Sequence, residues 1–471
     1  MATYTALING SQAGQVVFPG DAESSVLINV IDSGSMPPSG RRIAANDLQA
    51  LKQWVAEGAK FDGDDPNTRL GALVSVSTAI RQTSPEIRRA TGSETVSFAA
   101  DVAPLLVASC KGCHIDAMQN RGGLRLDTFA QMMRGGDSGP IIVPGNATDS
   151  LLIKKLRGLS GDRMPAGGRP QLPDASITMI STWINEGALL DGASETQSLS
   201  VMSQLAWVAQ ATPAQVSMKR KQASERDLQL LNTPEPYSVA TDHFFVTGTA
   251  PNQTIELVAK KAEEQMKLVK TMVPSDDQEN LFGGRATIYV LPRRYDYSEF
   301  AKMVESRDIP PNWTDHWKYD GLNAYIAALV HDSDDEKEIE NQLAAPLVSL
   351  AVATHGRDVP RWFAEGVGAH VRSKTRGRVD RATIRRELAE MATAVAAMEN
   401  PKQFFEQKLK PDQMDLVSAS IVATMLDRGR RKNFDALLRN LDRGIPFETA
   451  FQEAMKMSLQ EYVTKWFAYS R

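Results

Sequence analysis

Cysteine is almost absent from this sequence, which has two among its 471 residues. A disulfide-stapled fold is therefore excluded, because such domains devote a far larger share of their residues to cysteine. A basic excess is also lacking: the formal net charge is -4, so nucleic acid is not an expected partner. No run of about 18 apolar residues occurs, and hence no transmembrane helix is predicted. The length predicts two or three globular domains rather than one.

Both cysteines lie in one pentapeptide, Cys110-Lys111-Gly112-Cys113-His114. CxxCH is the attachment sequence of c-type haem: two thioethers fix the porphyrin, and the adjoining histidine gives the iron one axial nitrogen. The alternatives are a thioredoxin-like redox pair, a zinc site and a chance match. A redox pair needs a βαβ context, whereas residues 98–106 have helical spacing. A zinc site needs further ligands, and no second Cys/His cluster occurs among the six histidines.

The motifs that follow the pentapeptide also occur earlier in the chain, in the same order. The shared features are two glycines, a Pro-Gly turn, a serine followed by apolar residues, a Met-Pro step and a tryptophan helix closed by Glu-Gly-Ala. The earlier series is offset by 125 residues at the Pro-Gly turn (Pro19 to Pro144), 128 at the Met-Pro step (Met36 to Met164) and 129 at the tryptophan (Trp54 to Trp183). Small loop insertions explain the drift, so the sequence predicts an internal duplication.

The first copy, residues 1–66, has no counterpart of the haem pentapeptide. On the 125-residue offset, the position that matches His114 would precede Met1. We therefore expect the natural reading frame to continue upstream through a second CxxCH to a signal peptide, which would make the protein periplasmic or exported. The alternative is a degenerate repeat that serves only for packing.

These motifs resemble the planctomycete-type cytochrome c domain, whose pattern runs CxxCH, GGLRLDT, GG, VPG, SLL, RMPP and IxxWIxxGA, over about residues 1–192. The resemblance implies a small all-α domain, here residues 95–193, that holds one covalent haem c. It implies thioethers at Cys110 and Cys113 and axial ligands at His114 and Met164. One departure is Ala166, where the family usually has a second proline; this changes a turn and not a ligand.

Met164 needs its own argument, because the chain has 18 methionines and most methionines fill cores. It stands in an Arg-Met-Pro step and recurs as Met36 in the first copy. A thioether opposite histidine raises the reduction potential and leaves the iron no open site, which favours electron transfer over oxygen chemistry. We expect its sulfur to face His114 across an apolar slot whose walls include Leu124, Leu126 and Ile153.

Beyond residue 193 the sequence changes character. Residues 194–240 are predicted to form a linker with one helix, and the basic run Lys219-Arg220-Lys221 is interpreted as a solvated helix face. In residues 241–471, strands are predicted at 244–246 and 286–291, and beyond 315 the pattern is almost wholly helical. The predicted fold class is mainly α, with all-α cytochrome-like domains followed by an α+β domain that has a helical C-terminal part.

Residues 241–471 resemble the gluzincin, or peptidase-MA-like, domain, chiefly in the segment Pro360-Arg361-Trp362-Phe363-Ala364-Glu365-Gly366. In that family a preceding helix carries HExxH, whose histidines bind zinc together with the glutamate of the EG step. The corresponding stretch here, Leu343 to Thr354, contains no histidine and no glutamate. The resemblance thus implies a pseudopeptidase without zinc, with Leu347 and Leu350 expected where an active enzyme has imidazoles. His355 leaves a rearranged metal site as an alternative.

The sequence therefore predicts an exported haem-binding electron-transfer protein fused to an inactive peptidase-like module. It is predicted not to be an enzyme, and it would need a redox partner protein that the sequence does not identify. The alternatives are a metal-dependent hydrolase with unorthodox ligands and a cell-surface interaction protein.

Overall fold

The computed structural model describes residues 3–10, 14–36, 43, 45–61, 66–67, 70, 87–118, 121–231, 236–356, 358–375, 381–406, 408–426 and 429–470. The chain divides into two compact units. One comprises Met1–Arg88 and Met133–Ile141, and the other comprises Arg89–Met132 and Ile142–Arg471. None of the helices in the described ranges combines the length and apolar character that crossing a bilayer requires.

The first 61 residues form short helices around a small core. Helix α1 (Tyr4–Asn9) begins at Thr3, whose side chain caps the helix by accepting a hydrogen bond from the Ala6 N–H. Helices α2 (Val26–Asp32) and α3 (Ala45–Ala56) follow. The core consists of the buried side chains of Val17, Ile28, Val55 and Ala59.

Between residues 89 and 193, a π-helical turn (Phe98–Val102) continues into helix α4 (Ala103–Cys110). Three further helices follow: α5 (Phe129–Arg134), α6 (Leu151–Leu156) and α7 (Asp174–Asn185). Phe98 contacts both Phe129 and Trp183, with ring centroids 4.7 and 4.9 Å apart. All three rings are fully buried, so this aromatic cluster holds α7 against the helix that ends in the CxxCH segment.

The two predicted copies have the same helices. Helices α1 and α5 both have six residues and begin 125 positions apart, at Tyr4 and Phe129. Helices α3 and α7 both have 12 residues and begin 129 positions apart, at Ala45 and Asp174. These are the offsets that the motifs show.

The hydrogen bonds of the two copies also correspond. In each copy a buried serine hydroxyl holds the Pro-Gly turn, the glycine of that turn donates to the last helix, and the tryptophan indole donates to a carbonyl after that helix. The pairs are Phe18 N to Ser25 Oγ (2.8 Å) and Val143 N to Ser150 Oγ (2.9 Å), Gly20 N to Val55 O and Gly145 N to Ile184 O (both 2.7 Å), and Trp54 Nε1 to Lys60 O and Trp183 Nε1 to Leu189 O (both 2.9 Å).

The segment that the sequence presents as a linker is built differently from the prediction. It contains two helices, α8 (Leu199–Gln210) and α9 (Pro213–Leu230), and not one. Arg220 of α9 is buried, and its guanidinium donates to the carbonyls of Leu322 (2.6 Å), Gly284 (3.2 Å) and Arg285 (3.0 Å). The interpretation of this basic run as a solvated face is therefore wrong for Arg220.

A five-stranded mixed sheet follows, with strands in the order β1-β2-β3-β5-β4. Its central strands β2, β3 and β5 are parallel, and the outer strands β1 and β4 are antiparallel to their neighbours. Helix α10 (Asn252–Met272) connects β2 to β3, and α11 (Arg294–Glu305) follows β3. The strands are β1 (Ser238–Ala240), β2 (Phe244–Gly248), β3 (Ala286–Leu291), β4 (Asp315–Tyr319) and β5 (Ala324–Leu329).

Strand β3 has the predicted limits, and β2 extends the predicted segment by two residues. Strands β4 and β5 were not predicted, because the sequence beyond residue 315 was expected to be helical. Helices begin only at residue 336 in this part of the chain. They are α12 (Glu336–Thr354), α13 (Arg361–Thr375), α14 (Arg381–Ala397), α15 (Lys402–Phe405), α16 (Pro411–Met425), α17 (Arg431–Asp442), α18 (Phe447–Met455) and α19 (Leu459–Ser470). With its helices on both sides of one small sheet, the fold is mainly α.

Arg220→Met should lower the free energy of unfolding by about 3 kcal/mol, because it leaves three carbonyl groups without their donor in a buried place. Urea denaturation followed by circular dichroism measures the change. Lys221→Met is the matched control, since Lys221 is exposed and its loss should cost less than about 0.5 kcal/mol. Equal effects of the two substitutions would contradict a structural role for the Arg220 guanidinium.

Candidate haem site and a second cavity

The CxxCH segment forms a tight turn at the end of helix α4. The N–H of His114 donates to the carbonyl of Cys110 (3.0 Å), and the N–H of Gly112 donates to the carbonyl of Ile115 (2.7 Å). Gly112 has a φ of +82°, a left-handed conformation that a residue without a Cβ adopts at little cost. The turn thereby brings both cysteines and His114 together within five residues.

The imidazole of His114 is oriented by a backbone group. Its Nδ1 lies 3.1 Å from the carbonyl oxygen of Leu124, so Nδ1 carries the proton and donates to this acceptor. The carbonyl of His114 in turn accepts from the N–H of Leu126 (2.8 Å). A histidine fixed through Nδ1 presents the lone pair of Nε2, which is how metal-bound histidines are held in proteins.

The two thiols are free and half-buried. Burial raises the pKa of the Cys110 thiol to about 11, although nearby Arg169 acts in the opposite direction. A thioredoxin-like nucleophile requires a lowered pKa, so this environment argues against the redox-pair alternative. It is compatible with a cysteine whose sulfur is consumed in a thioether.

The loop that carries Met164 is tied to the CxxCH turn. Nη1 of Arg169 donates to the carbonyl of Lys111 at 2.7 Å, and Arg169 lies so close to Gly112 that a Cβ there would be 3.4 Å from its Nη2. Met164 itself is half-buried, and its N–H donates to the carbonyl of Lys155 at 2.9 Å. The structure thus joins the loops of the two predicted axial ligands through Arg169.

The same backbone bond holds Met36 in the first copy. The N–H of Met36 donates to the carbonyl of Val30 at 2.9 Å, and Val30 and Lys155 are again 125 positions apart. Met36 is exposed, whereas Met164 is half-buried. Of the predicted slot walls, Leu126 and Ile153 are buried and Leu124 is half-buried. That the Met164 sulfur faces His114 stays a prediction.

These residues fit a c-type haem. The turn supplies two adjacent free thiols and an imidazole that is anchored through Nδ1, and the neighbouring loop supplies a thioether. Cys110, Cys113, His114 and Met164 would hold the group, and the fit rests on soft sulfur and nitrogen donors of the kinds that haem iron and its vinyl groups take.

A cavity of about 1050 Å³ is lined in part by Arg361 and Glu365, from the segment on which the gluzincin resemblance rests. Its walls come from the β4 edge of the sheet and from helices α12, α13, α14 and α16. From α12 it is lined by Ala345, Pro346 and Ser349, and from α13 by Arg361 and Glu365. The Glu365 carboxylate forms an ion pair with Arg361 (3.0 Å).

Helix α12 is buried and packs against α13, as predicted, but its side chains point differently from the expectation. Leu347 and Leu350 are fully buried in the main core and do not line the cavity. Instead the cavity is faced by Ala345, Pro346 and Ser349, whose spacing of i, i+1 and i+4 is that of the three functional positions in HExxH. A helix turns by about 100° per residue, so positions two or five further along, such as 347 and 350, point elsewhere.

The histidines of this half are dispersed. Within the described ranges, no group of three or more His, Cys, Asp or Glu side chains has a metal-binding arrangement. His355 is buried, its Nδ1 lies 2.7 Å from the carbonyl of Ala351, and its Nε2 is 3.5 Å from Asp442. This position ties α12 to the end of α17.

A buried polar network beside the cavity was not anticipated from the sequence. His316 on β4 contacts Tyr297 through Nδ1 (2.6 Å) and Glu305 through Nε2 (3.0 Å), and Glu305 also accepts from Tyr325 (2.5 Å). Burial alone would raise the pKa of Glu305, but hydrogen bonds from His316, Tyr325 and Arg307 lower it to about 2. The partners are far apart in sequence, so no local motif could have revealed them.

Comparison with known proteins agrees with the resemblance of the CxxCH segment to a cytochrome c domain. No curated protein matches the chain significantly. Residues 110–167 match the family model described as Planctomycete cytochrome C, and this stretch runs from Cys110 through the loop of Met164. This chain therefore contains a segment that is similar to planctomycete cytochrome c.

Proposed function

We propose that this protein is an exported c-type cytochrome that carries one covalent haem and transfers electrons, and that its C-terminal half is a pseudopeptidase module. The observation that supports the haem proposal best is the anchored imidazole of His114 inside a CxxCH turn, within the segment that matches planctomycete cytochrome c. A redox dithiol does not need a histidine held in this way.

Each residue of the site has a distinct role in this proposal. Cys110 and Cys113 attach the group and keep it at a fixed place relative to α4. His114 supplies Nε2 to one face, and the hydrogen bond from Nδ1 to Leu124 keeps the ring in the required orientation and tautomer. When bound, the haem supplies one-electron chemistry.

Met164 decides which chemistry the site favours. As a ligand of the haem, the Met164 thioether would favour the reduced state and electron transfer over the binding of small molecules. The hydrogen bonds from Met164 N–H to Lys155 and from Arg169 to Lys111 hold the Met164 loop beside the turn. A site of this kind transfers electrons to a partner protein without binding a substrate.

The pseudopeptidase proposal is supported by the cavity between α12 and α13. On the side of α12 that lines this cavity, Ala345, Pro346 and Ser349 stand where the resembled family has two histidines and the general base. None of these side chains can bind zinc strongly or act as a base, and Glu365 is neutralised by Arg361. The C-terminal half would then serve a purpose other than hydrolysis.

The haem proposal predicts that the protein, expressed with export and a haem-maturation system, retains one haem through denaturing electrophoresis. Cys110→Ala combined with Cys113→Ala should abolish the haem stain, because no other thiol exists in the chain to form a thioether. In-gel peroxidase staining is the measurement, and the total protein stain of the same lane is the control. A stain that persists in the double variant would disprove covalent attachment at this motif.

Met164→Ala should leave the haem attached but lower the reduction potential by roughly 100 mV or more, since axial ligation sets haem potentials over a range of about 0.8 V. Redox titration followed in the visible spectrum measures the shift. The matched control is Met36→Ala, which removes the equivalent methionine from the copy without cysteines and should not change the potential. An unchanged potential in Met164→Ala would mean that another residue holds the sixth position.

The pseudopeptidase proposal predicts that the purified chain contains zinc well below one equivalent and does not hydrolyse peptides. Restoring any single position, Ala345→His, Pro346→Glu or Ser349→His, should not produce activity, because the ligands and the base are missing together. Elemental analysis and a peptide-hydrolysis assay test this. Stoichiometric zinc that a chelator removes together with hydrolysis would instead favour the metal-dependent hydrolase.

A further inference from the structure

A second large cavity, of about 1260 Å³, lies in the helical C-terminal part of the chain. It is lined by side chains from α13, α16, α17 and α19 and by the turn before α17. It shares no lining residue with the cavity that contains Glu365. Neither the haem proposal nor the pseudopeptidase proposal uses it.

The described lining of this cavity contains many hydrogen-bond donors and no negatively charged acceptor. It includes Lys374, Arg430 and Lys465 and no Asp or Glu. Lys465 is paired with Glu461, which lies outside the lining, but Lys374 and Arg430 have no carboxylate partner among the described residues. Among the described residues, two cations therefore face one cavity without a counter-charge.

Further donors in the same wall have no acceptor within the described part of the chain. These are the imidazole of His370, one turn before Lys374 on α13, and the side-chain amide of Asn433. Arg430 uses one of its five N–H groups on the hydroxyl of Tyr462 (3.0 Å), and no other acceptor for its side chain lies among the described residues. A complementary ligand must bring acceptor oxygens and negative charge.

The electrostatic environment of His370 agrees with this polarity. Its pKa is lowered, first by burial and then by the positive charges of Lys374 and Arg431. The ring is consequently neutral at pH 7 and can donate one N–H without adding to the charge. Arg430 and Gly429 also place the start of α17 in the wall, where the first backbone N–H groups of that helix favour an anion.

Another part of the lining is apolar and aromatic. Trp466 and Met455 are buried, whereas Tyr469 is almost wholly exposed, with 91% of its surface accessible. An inorganic ion would leave this surface and most of the volume unused. A phosphate monoester carries about two negative charges and three acceptor oxygens on an organic body, and so matches both walls.

We propose that this cavity binds a phosphate monoester with an apolar or aromatic body, with Lys374 and Arg430 recognising the phosphate and Trp466 and Tyr469 contacting the body. The site would be independent of the haem. The proposal can therefore fail without affecting the cytochrome assignment, and the reverse also holds.

Calorimetric titration of the full chain with phenyl phosphate tests this proposal, and inorganic phosphate and benzyl alcohol serve as comparison probes. Phenyl phosphate should bind saturably, at least several-fold more tightly than either comparison probe. Lys374→Gln and Arg430→Gln should each weaken its binding by about tenfold, because each removes a charge-assisted hydrogen bond. Lys432→Gln is the matched control: it removes an exposed lysine of α17 outside the lining and should change affinity less than about twofold.

Two further measurements keep the test decisive. Arg430→Gln also removes a partner of Tyr462, so Arg430→Lys is included, which keeps the charge and should recover much of the affinity. Circular dichroism melting of each variant identifies loss of fold. Absence of saturable phenyl phosphate binding, equal affinity for inorganic phosphate, or an equal effect of Lys432→Gln would overturn the proposal.

Discussion

The buried serine hydroxyl that closes the Pro-Gly turn is the constraint on which the duplicated framework depends. Ser150 is wholly inaccessible; its oxygen accepts from Val143 N–H and it donates to the carbonyl of Asn146 (2.9 Å). The turn is then placed so that Gly145 can donate to the end of α7. Ser25 does the same in the first copy. A hydroxyl with both functions satisfied can be buried at little cost, whereas alanine would leave an N–H and a carbonyl unpaired.

This arrangement makes the framework independent of the CxxCH segment. The turn and the last helix are held by bonds that do not involve that segment, and the same bonds occur in the described part of residues 3–61, which contains no cysteine. The backbone bond of Met36 matches that of Met164, but its side chain is exposed. In the C-terminal half, α12 and α13 likewise pack through buried apolar side chains of the main core.

The sequence predicted some of this structure well, and the reasons can be traced to particular residues. Strand β3 has an uninterrupted run of buried residues between polar turns, which identifies a central parallel strand. Strand β5 is equally buried, but its alanine-rich sequence, Ala324–Leu329, cannot be distinguished from a buried helix by periodicity. Edge strand β4 has two charged and three ring side chains in five residues, which gives no clear alternation.

The candidate site was predictable to a different degree at each residue. Cys110, Cys113 and His114 lie within five residues in a chemically specific pattern, so spacing alone identifies them as candidates for haem attachment. By contrast, Arg169 and Leu124 act through one guanidinium and one backbone carbonyl, which no motif records. Leu347 and Leu350 were placed wrongly because hydrophobicity indicates burial but not which core a side chain enters. The expected upstream CxxCH lies outside the chain described by the structure.

Helix α8 is the element that joins the cytochrome-like segment to the sheet. At its start, Leu199 N–H donates to the carbonyl of Asp127 (2.8 Å), and further along Gln204 donates to Asp320 in the turn before β5 (3.0 Å). Leu205 packs directly against Gly321, where any side chain would collide with it. A flexible linker would have left these backbone groups in water, so the connection is part of the folded core. The segment that is similar to planctomycete cytochrome c is therefore connected to the sheet through one short helix that packs against both.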